Sequence, residues 1–296
     1  MPTAKLKPAL PLLILLALLM PCLADAHGFA GKRFFPVTLT FRDPISNDEF
    51  DTVFNHTDNV GEHQQAQNVN NVGVYYSKRI TPKVALSVGT SYDNIDPHGG
   101  PSQHGFRSLN IAGKFIGHVD PQSEFVWSYG VNVSLGGYGS VGPDYNTYTP
   151  TFYFGKGFGS ASGMKALRPF AVTGALGTDI PGHANLSHNL VTDFSLQYNN
   201  TYPESFMQTA GMPNFLRNSI FLVELPMTTC LDQGCRGTLT GTINPGIALV
   251  TTAGQIALEG TVPLNAHSGN SVGVLLQAHL YLDNLFPNSI GKPIFQ

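Results

Sequence analysis

The chain has 296 residues, of which only 12% are charged and 32 are glycine, with a formal net charge of −3. A soluble domain averages roughly 25% charged residues, so the composition speaks against an ordinary soluble globule, and so small a net charge argues against nucleic acid as a partner. Mean hydropathy is nonetheless near zero, and no second long apolar run follows the first.

In chain order, the first element is a targeting segment. Lys5 and Lys7 give it a basic start, and Leu10 to Leu19 give an apolar core interrupted by Pro11. Ala24-Asp25-Ala26 then supplies the small-x-small pattern that a signal peptidase reads, so residues 1–26 are expected to be a signal peptide and His27 the mature start. Pro21 before Cys22 argues against lipoprotein processing. Retention of the segment as an anchor is the alternative, although it is short for a helix that needs ~20 residues to span a bilayer. The mature chain, 27–296, would sit in an oxidising compartment. There Cys230 and Cys235 are expected to form a disulfide across a loop.

Beyond the leader the dominant signal is period-two alternation. In Phe125 to Leu135 the odd positions are large and apolar, the even ones nearly all small or polar. In Ser271–Asp283 the phase reverses: Val272, Val274, Leu276, Ala278, Leu280 and Leu282 share one face, and Gly273, Gln277, His279, Tyr281 and Asp283 the other. Further strands are expected around Val84–Tyr92, Ser108–Phe115, Phe170–Leu176, Phe194–Tyr198, Leu239–Leu249 and Gln255–Leu264. Val69–Ile80, Thr149–Phe158 and Asn218–Met227 carry apolar residues on both faces. One more strand before His56 brings the count to about twelve.

Two internal checks bear on that pattern. A turn centred on Thr251-Thr252 would set Asn244 opposite Glu259 and Thr242 opposite Thr261, so that polar meets polar. A symmetric turn after it would bring Glu259 near Gln277. Connections at Thr81-Pro82, Gly117–Gln122 and Thr251–Gly254 are short and fall on one side. Those at Asn94–Gln103, Gly137–Asn146, Pro181–Val191 and Thr229–Arg236 fall on the other and are mostly longer, as outer-membrane barrels require. Thr201–Arg217 is long on the short-turn side, where it would hold a periplasmic helix or conceal a miscounted strand.

A secreted sandwich or lipocalin-like barrel alternates as well. Its outer face would carry more Lys and Glu than Gly89, Ser108, Asn110, Asn132, Ser134, Thr240, Thr242 and Gly273 provide. The expected fold is therefore an all-β, antiparallel transmembrane barrel.

Several stretches carry a family resemblance: His27 to Pro36, Thr149 to Gly159, Arg168 to Gly174, Phe194 to Tyr198, Gly241 to Gly246 and the tail from Leu285 to Phe295. Together they resemble a largely uncharacterised family of proteobacterial outer-membrane proteins, similar in pattern to the barrels named after the meta-pathway of phenol degradation. The resemblance implies an outer-membrane barrel with a transport role and brings no established functional residues with it. Ser271-x-Gly273-x-x-Leu276-x-Ala278 also resembles the signal read by the barrel-assembly machinery, but here a tail follows and the chain ends Phe295-Gln296.

Chemistry-bearing motifs are sparse. His27 followed by Gly28 could hold copper through its amine and imidazole, as in a secreted copper enzyme, with His56, His63 or His98 as a second ligand. His98 with His104, and His183 with His188, lie in loops rich in small residues and are expected to be solvated. No Gly-x-Ser-x-Gly elbow marks a nucleophile. Gly155-Lys156-Gly157-Phe158-Gly159 lacks phosphate-loop spacing, so its glycines are read as relieving crowding in a curved strand. No catalytic residue, metal site or cofactor is expected.

The lumen is the better candidate. Lys114, Asp193, Gln197, Glu259, Gln277 and His279, with Asp283, should point inward, and their mixed signs do not predict strong ion selectivity. Tyr75, Tyr76, Trp127, Tyr129 and Tyr198 should contribute to interfacial girdles. Gly28–Asp43 is expected to enter or cap the lumen. The expected function is a narrow channel for passive diffusion of small solutes, with lipid and the assembly machinery as partners. A non-transporting structural or surface-interaction barrel is the alternative.

Overall fold

The computed structural model describes residues 28–59, 66–160, 164–200, 202 and 213–295, so the leader, His27 and His63 lie outside the described residues. Two short strands, β1 (Phe29–Ala30) and β2 (Arg33–Phe34), form a small ribbon. The regular series follows with β3 (Glu49–Asn59), β4 (Gln67–Thr81), β5 (Val84–Pro97), β6 (Gln103–Phe106), β7 (Leu109–Asp120) and β8 (Phe125–Leu135). It continues with β9 (Thr147–Gly157), β10 (Phe170–Pro181), β11 (Asn189–Asn199) and β12 (Ser219–Cys230), then β13 (Leu239–Val250), β14 (Gly254–Pro263) and β15 (Val272–Tyr281).

Each long strand pairs antiparallel with the next in sequence, and β15 pairs with β3 from Val272↔Asp58 to Tyr281↔Glu49. That seam closes a barrel of twelve strands, so that the wall has no open edge and its backbone groups pair from strand to strand in place of water. The short β6 lies outside the count: it extends the outer end of β5, where Tyr92 pairs with Phe106.

The pleat sets the faces. Leu86, Val88, Ile111, Phe115, Tyr129, Val131, Leu196, Leu258, Val274 and Leu276 point out of the wall and are exposed. Their inward neighbours, among them Ser128, Thr173, Ser195, Gln197, Glu259 and Gln277, are buried. So large an apolar surface is stable only against lipid, and a closed barrel wearing it belongs in the outer membrane.

Four expectations are corrected. The first long strand includes His56, whose Nδ1 lies 2.8 Å from Asn70 Oδ1 on β4. Glu259 pairs with Gly246 and Thr242 with Pro263, so the hairpin register is shifted by two residues from that expected. The turn is centred one residue later, on Thr252-Ala253, with Thr251 N–H donating to Gly254 O at 2.8 Å. Across the next ladder Glu259 meets Leu275, while Gln277 meets Ala257. Finally, Asp283 lies beyond β15 in the helical turn Leu282–Leu285, 3.7 Å from Arg79 Nη2.

The short turns and both described ends of the chain gather at one end of the barrel, the inner or periplasmic end. The long stretch before β12 carries the helical turn Asn214–Arg217 there. On the outer side Cys230 and Cys235 are disulfide-bonded in the loop that joins β12 to β13. Beside them His188 Nδ1 approaches Asp232 Oδ2 to 2.6 Å. This contact holds the Asp232 carboxyl below its usual range.

Candidate functional site

The lumen is filled from the inner end by residues 28–48. At the rim Arg33 is fully buried: its Nε donates to Glu124 Oε2 at 3.1 Å and its Nη1 to Pro169 O at 3.1 Å. Burial pulls the Arg33 guanidinium below its ordinary pKa, against the opposing pull of Glu124. Tyr202 donates to Glu124 Oε1 at 2.6 Å, and burial together with that bond pushes its phenol up to about 12.

From the rim the segment climbs along the wall. Val37 exchanges hydrogen bonds with Gln255, giving its N–H at 3.2 Å and accepting from Nε2 at 2.6 Å. Gln255 also donates to Gln277 Oε1 at 2.7 Å, and Gln277 Nε2 in turn reaches Thr38 O at 3.3 Å. At mid-height Glu224 Oε1 accepts Leu39 N–H and Oε2 accepts Thr40 N–H, both at 3.0 Å; the Thr40 hydroxyl bonds the same Oε2. The chain then crosses the lumen. Arg42 Nη1 meets Asp51 Oδ2 at 3.1 Å with its guanidinium over the Tyr75 ring, and Asp43 receives Lys114 Nζ on its backbone oxygen at 2.9 Å. It returns to the inner rim at Asp48, held by Lys78 Nζ at 2.6 Å and Arg79 Nε at 2.7 Å.

Apolar contact adds to these bonds. Phe35 and Ile45 pack on Ile116, Val126 and Ala171, Leu39 on Leu222, Ala248, Ala257 and Leu275, and Phe34 and Val37 on Ile220 and Tyr281. A water-filled lumen would not place such residues inward. The glycines of β9 serve the same fit: a Cβ on Gly155 would crowd Pro44 and Phe35, and one on Gly157 would strike the Arg33–Glu124 pair. They admit the plug, which is a more specific role than relief of crowding.

Above and beside the plug remains an open cavity of about 580 Å³. Its walls carry Asn55, Asn71, Asn110 and Asn132 with Ser87, Thr90 and Ser91, and its floor is Thr38–Arg42. Of the expected lumen residues, only Lys114 lines this cavity. Asp193, Gln197, Glu259, Gln277 and His279 face inward but are buried. His279 lies between Glu49 (3.5 Å) and Asp51 (3.4 Å) at the foot of the seam.

Tyr75 is a further correction. It faces the lumen under Arg42, whereas Tyr76, next in the pleat, shares the outward face of Val74. Trp127 stacks on Phe152, and Tyr198 packs edge-on against Phe170, near the inner end of the wall. Sequence reasoning missed Glu224, Arg42 and Glu124. The inward apolar residues of β12, Ile220 and Leu222, were their only trace.

No protein-family model and no curated protein matches the chain. Solved structures do match. The COG4313 outer membrane channel from Pseudomonas putida F1 aligns with a TM-score of 0.52 at 10% identity, covering 80% of this chain and 96% of that one. The chain has the outer-membrane barrel fold. The KdgM porin aligns with a TM-score of 0.46 at 12% identity, covering 78% of this chain and 98% of that one. A KdgM porin in complex with disordered oligogalacturonate aligns at 0.48 and 11%, with the same two coverages.

Proposed function

We propose that this barrel is a channel for passive diffusion of small solutes across the outer membrane, closed at its inner end by residues 28–48. The observation that carries this reading is the open cavity of about 580 Å³, lined on one side by the wall and on the other by plug residues Thr38 to Arg42. Twelve strands enclose a lumen between the side-chain-filled interior of ~8 and the aqueous channel of 16–18, so a segment of about twenty residues suffices to close it.

The resemblance of the six sequence stretches to meta-pathway barrels fits the same reading, as does the resemblance of β15, the strand that closes the wall, to an assembly-machinery signal. The copper alternative rests on His27, which lies outside the described residues. The extensive bonding of the plug favours a second reading, a permanently filled barrel with a structural role.

Planar-bilayer conductance separates the two. Deletion of Gly28–Asp43 should raise conductance while the protein keeps the heat-dependent gel mobility of a folded barrel. A folded deletion that conducts no better than the full chain would establish the structural reading instead.

A further inference from the structure

Two cations border the open cavity, and both are built in the same way. The Arg42 guanidinium lies 3.3 Å from the centre of the Tyr75 ring, and a Cβ on Gly89, the partner of Tyr75 on β5, would come within 3.0 Å of that ring. Lys114 Nζ lies 5.6 Å from the centre of the Tyr153 ring, and a Cβ on Gly130, the partner of Lys114 on β8, would come within 3.3 Å of it. In each case a glycine makes room for the aromatic face that supports a cation. The counter-charges stand behind. Asp43, Glu49 and Asp51 are each 3% exposed or less, and of the three only Asp51 borders the cavity. The Arg42 side chain is 34% exposed and that of Lys114 13%, so a solute entering from the outer mouth meets the cations first.

Neither cation is saturated. A guanidinium has five N–H groups and an ammonium three. Among the described residues Arg42 bonds only to Asp51, through Nη1, and Lys114 only to Asp43, at 2.9 Å to the backbone oxygen and 3.4 Å to Oδ1. The wall above them is uncharged. Asn132 pairs with Ala112, two residues outward of Lys114, and Ser91 pairs with Gly73, two residues outward of Tyr75. Two strand residues span about 7 Å. Asn55 lies further out on β3, opposite Asn71. Asn132 spends only its Nδ2 on the protein and Asn55 only its Oδ1. An amide oxygen, an amide N–H₂ and a hydroxyl therefore face the cavity together, a mixture that suits groups which both give and accept hydrogen bonds.

We infer that the cavity is a binding site for a small hydroxylated carboxylate, its anionic end at Arg42 and Lys114 and its hydroxyls against Asn55, Ser91 and Asn132. A carboxylate takes the N–H groups that Asp51 and Asp43 leave over, and forms charge-assisted bonds with both cations. The site is made by plug and wall together, because Arg42 comes with the plug and Lys114 with β7. A bound acid bridges the two, so it binds the plugged form in preference to the open one and holds the plug in place. The site shares its cavity with the channel reading above but does not depend on conduction.

The test is calorimetric titration of gluconate into the full chain in detergent micelles, on protein whose folding is verified by its gel shift. Glucose, with hydroxyls and no charge, and acetate and inorganic phosphate, with charge and no carbon-bound hydroxyls, are titrated beside it. Gluconate should bind about tenfold more tightly than any of the three. Lys114→Met should weaken gluconate by about tenfold, since a charged hydrogen bond is lost. Asn132→Ala, on the wall and away from the plug, should weaken gluconate several-fold and leave acetate unchanged. Bound gluconate should also slow cleavage of residues 28–48 by protease added from the inner side. No binding of gluconate, equal affinity for glucose, acetate or phosphate, or an affinity that survives both substitutions overturns the site. Binding without protection overturns the bridge from wall to plug. A chain that binds gluconate and conducts nothing in bilayers keeps the site and loses the channel reading.

Discussion

Thr40 gives its backbone N–H and its side-chain hydroxyl to the same oxygen, Oε2, of Glu224, which makes one wall residue the principal clasp of the plug apex. Glu224→Ala strands three donors, counting Leu39 N–H, where each buried unsatisfied group costs about 1–3 kcal/mol. The apex should then leave the wall for a larger fraction of time. Single-channel recording should show longer openings at unchanged unitary conductance. If dwell times match the unaltered chain, the apolar contacts of Leu39 alone hold the apex.

The rim clasp differs in kind, because Arg33 and Glu124 are both buried charges. Removing one partner of such a pair is expected to cost about 3–5 kcal/mol, whereas replacing both by apolar groups of similar size is close to neutral. Arg33→Ala should therefore expose the segment around β1 and β2 to protease added from the inner side. Arg33→Met combined with Glu124→Leu should protect it again. Equal cleavage of the single and double variants would show that the contacts of Phe34 and Phe35 decide the rim.

The two faces of β14 should respond oppositely to charge. Leu258 and Val262 are about half exposed, at 48% and 50%, and point into lipid. Lys at either position costs up to ~2–4 kcal/mol near the bilayer midplane and should reduce the folded fraction on unheated gels. Glu259→Gln, one residue away on the buried face, should fold as the parent does. Normal folding of both Lys variants would reverse inside and outside.

In the outer loops the His188–Asp232 contact predicts an acid-side transition. The bond from His188 keeps the Asp232 carboxyl below its ordinary range, so its contribution to loop order is complete above ordinary carboxylate pH values. The contribution is lost as pH falls through the lowered value. A carboxyl-carbon NMR titration should place Asp232 below ~3.9, and His188→Ala should move it upward. Joint replacement of Cys230 and Cys235 by Ser should leave that titration in place and cost at most about 2 kcal/mol, since the closed loop is so short.

Much of this fold is legible in the sequence, because alternation reports directly which side of a wall a residue occupies. The same property explains the register error between β13 and β14. A shift of two residues returns every side chain to its own face, so matching polar to polar does not distinguish Gly246 from Asn244 as the partner of Glu259. Only the Thr251 hydrogen bond to Gly254 settles the centre of the turn. Tyr75 and Tyr76 show a related limit: adjacent residues take opposite faces, and composition does not say which one meets Arg42.

Alternation also says nothing about what stands opposite an inward residue. Gln197, Gln277 and His279 read as lumen-facing, and they are, yet another segment or another side chain covers each of them. The sign of that covering was present in the inward Ile220, Leu222 and Ala248, which suit a solid partner and not water.

The route of the plug has a topological consequence. Arg33 and Asp48 both lie at the periplasmic rim, and the chain between them rises to Leu39 and Thr40, crosses to Asp43 and comes back without passing through to the far mouth. Such a loop is not threaded: it can be withdrawn from a completed barrel and reinserted while the β3–β15 seam stays zipped. Opening the passage and keeping the wall intact are therefore mechanically independent, and traffic through the centre need never expose a strand edge to the bilayer.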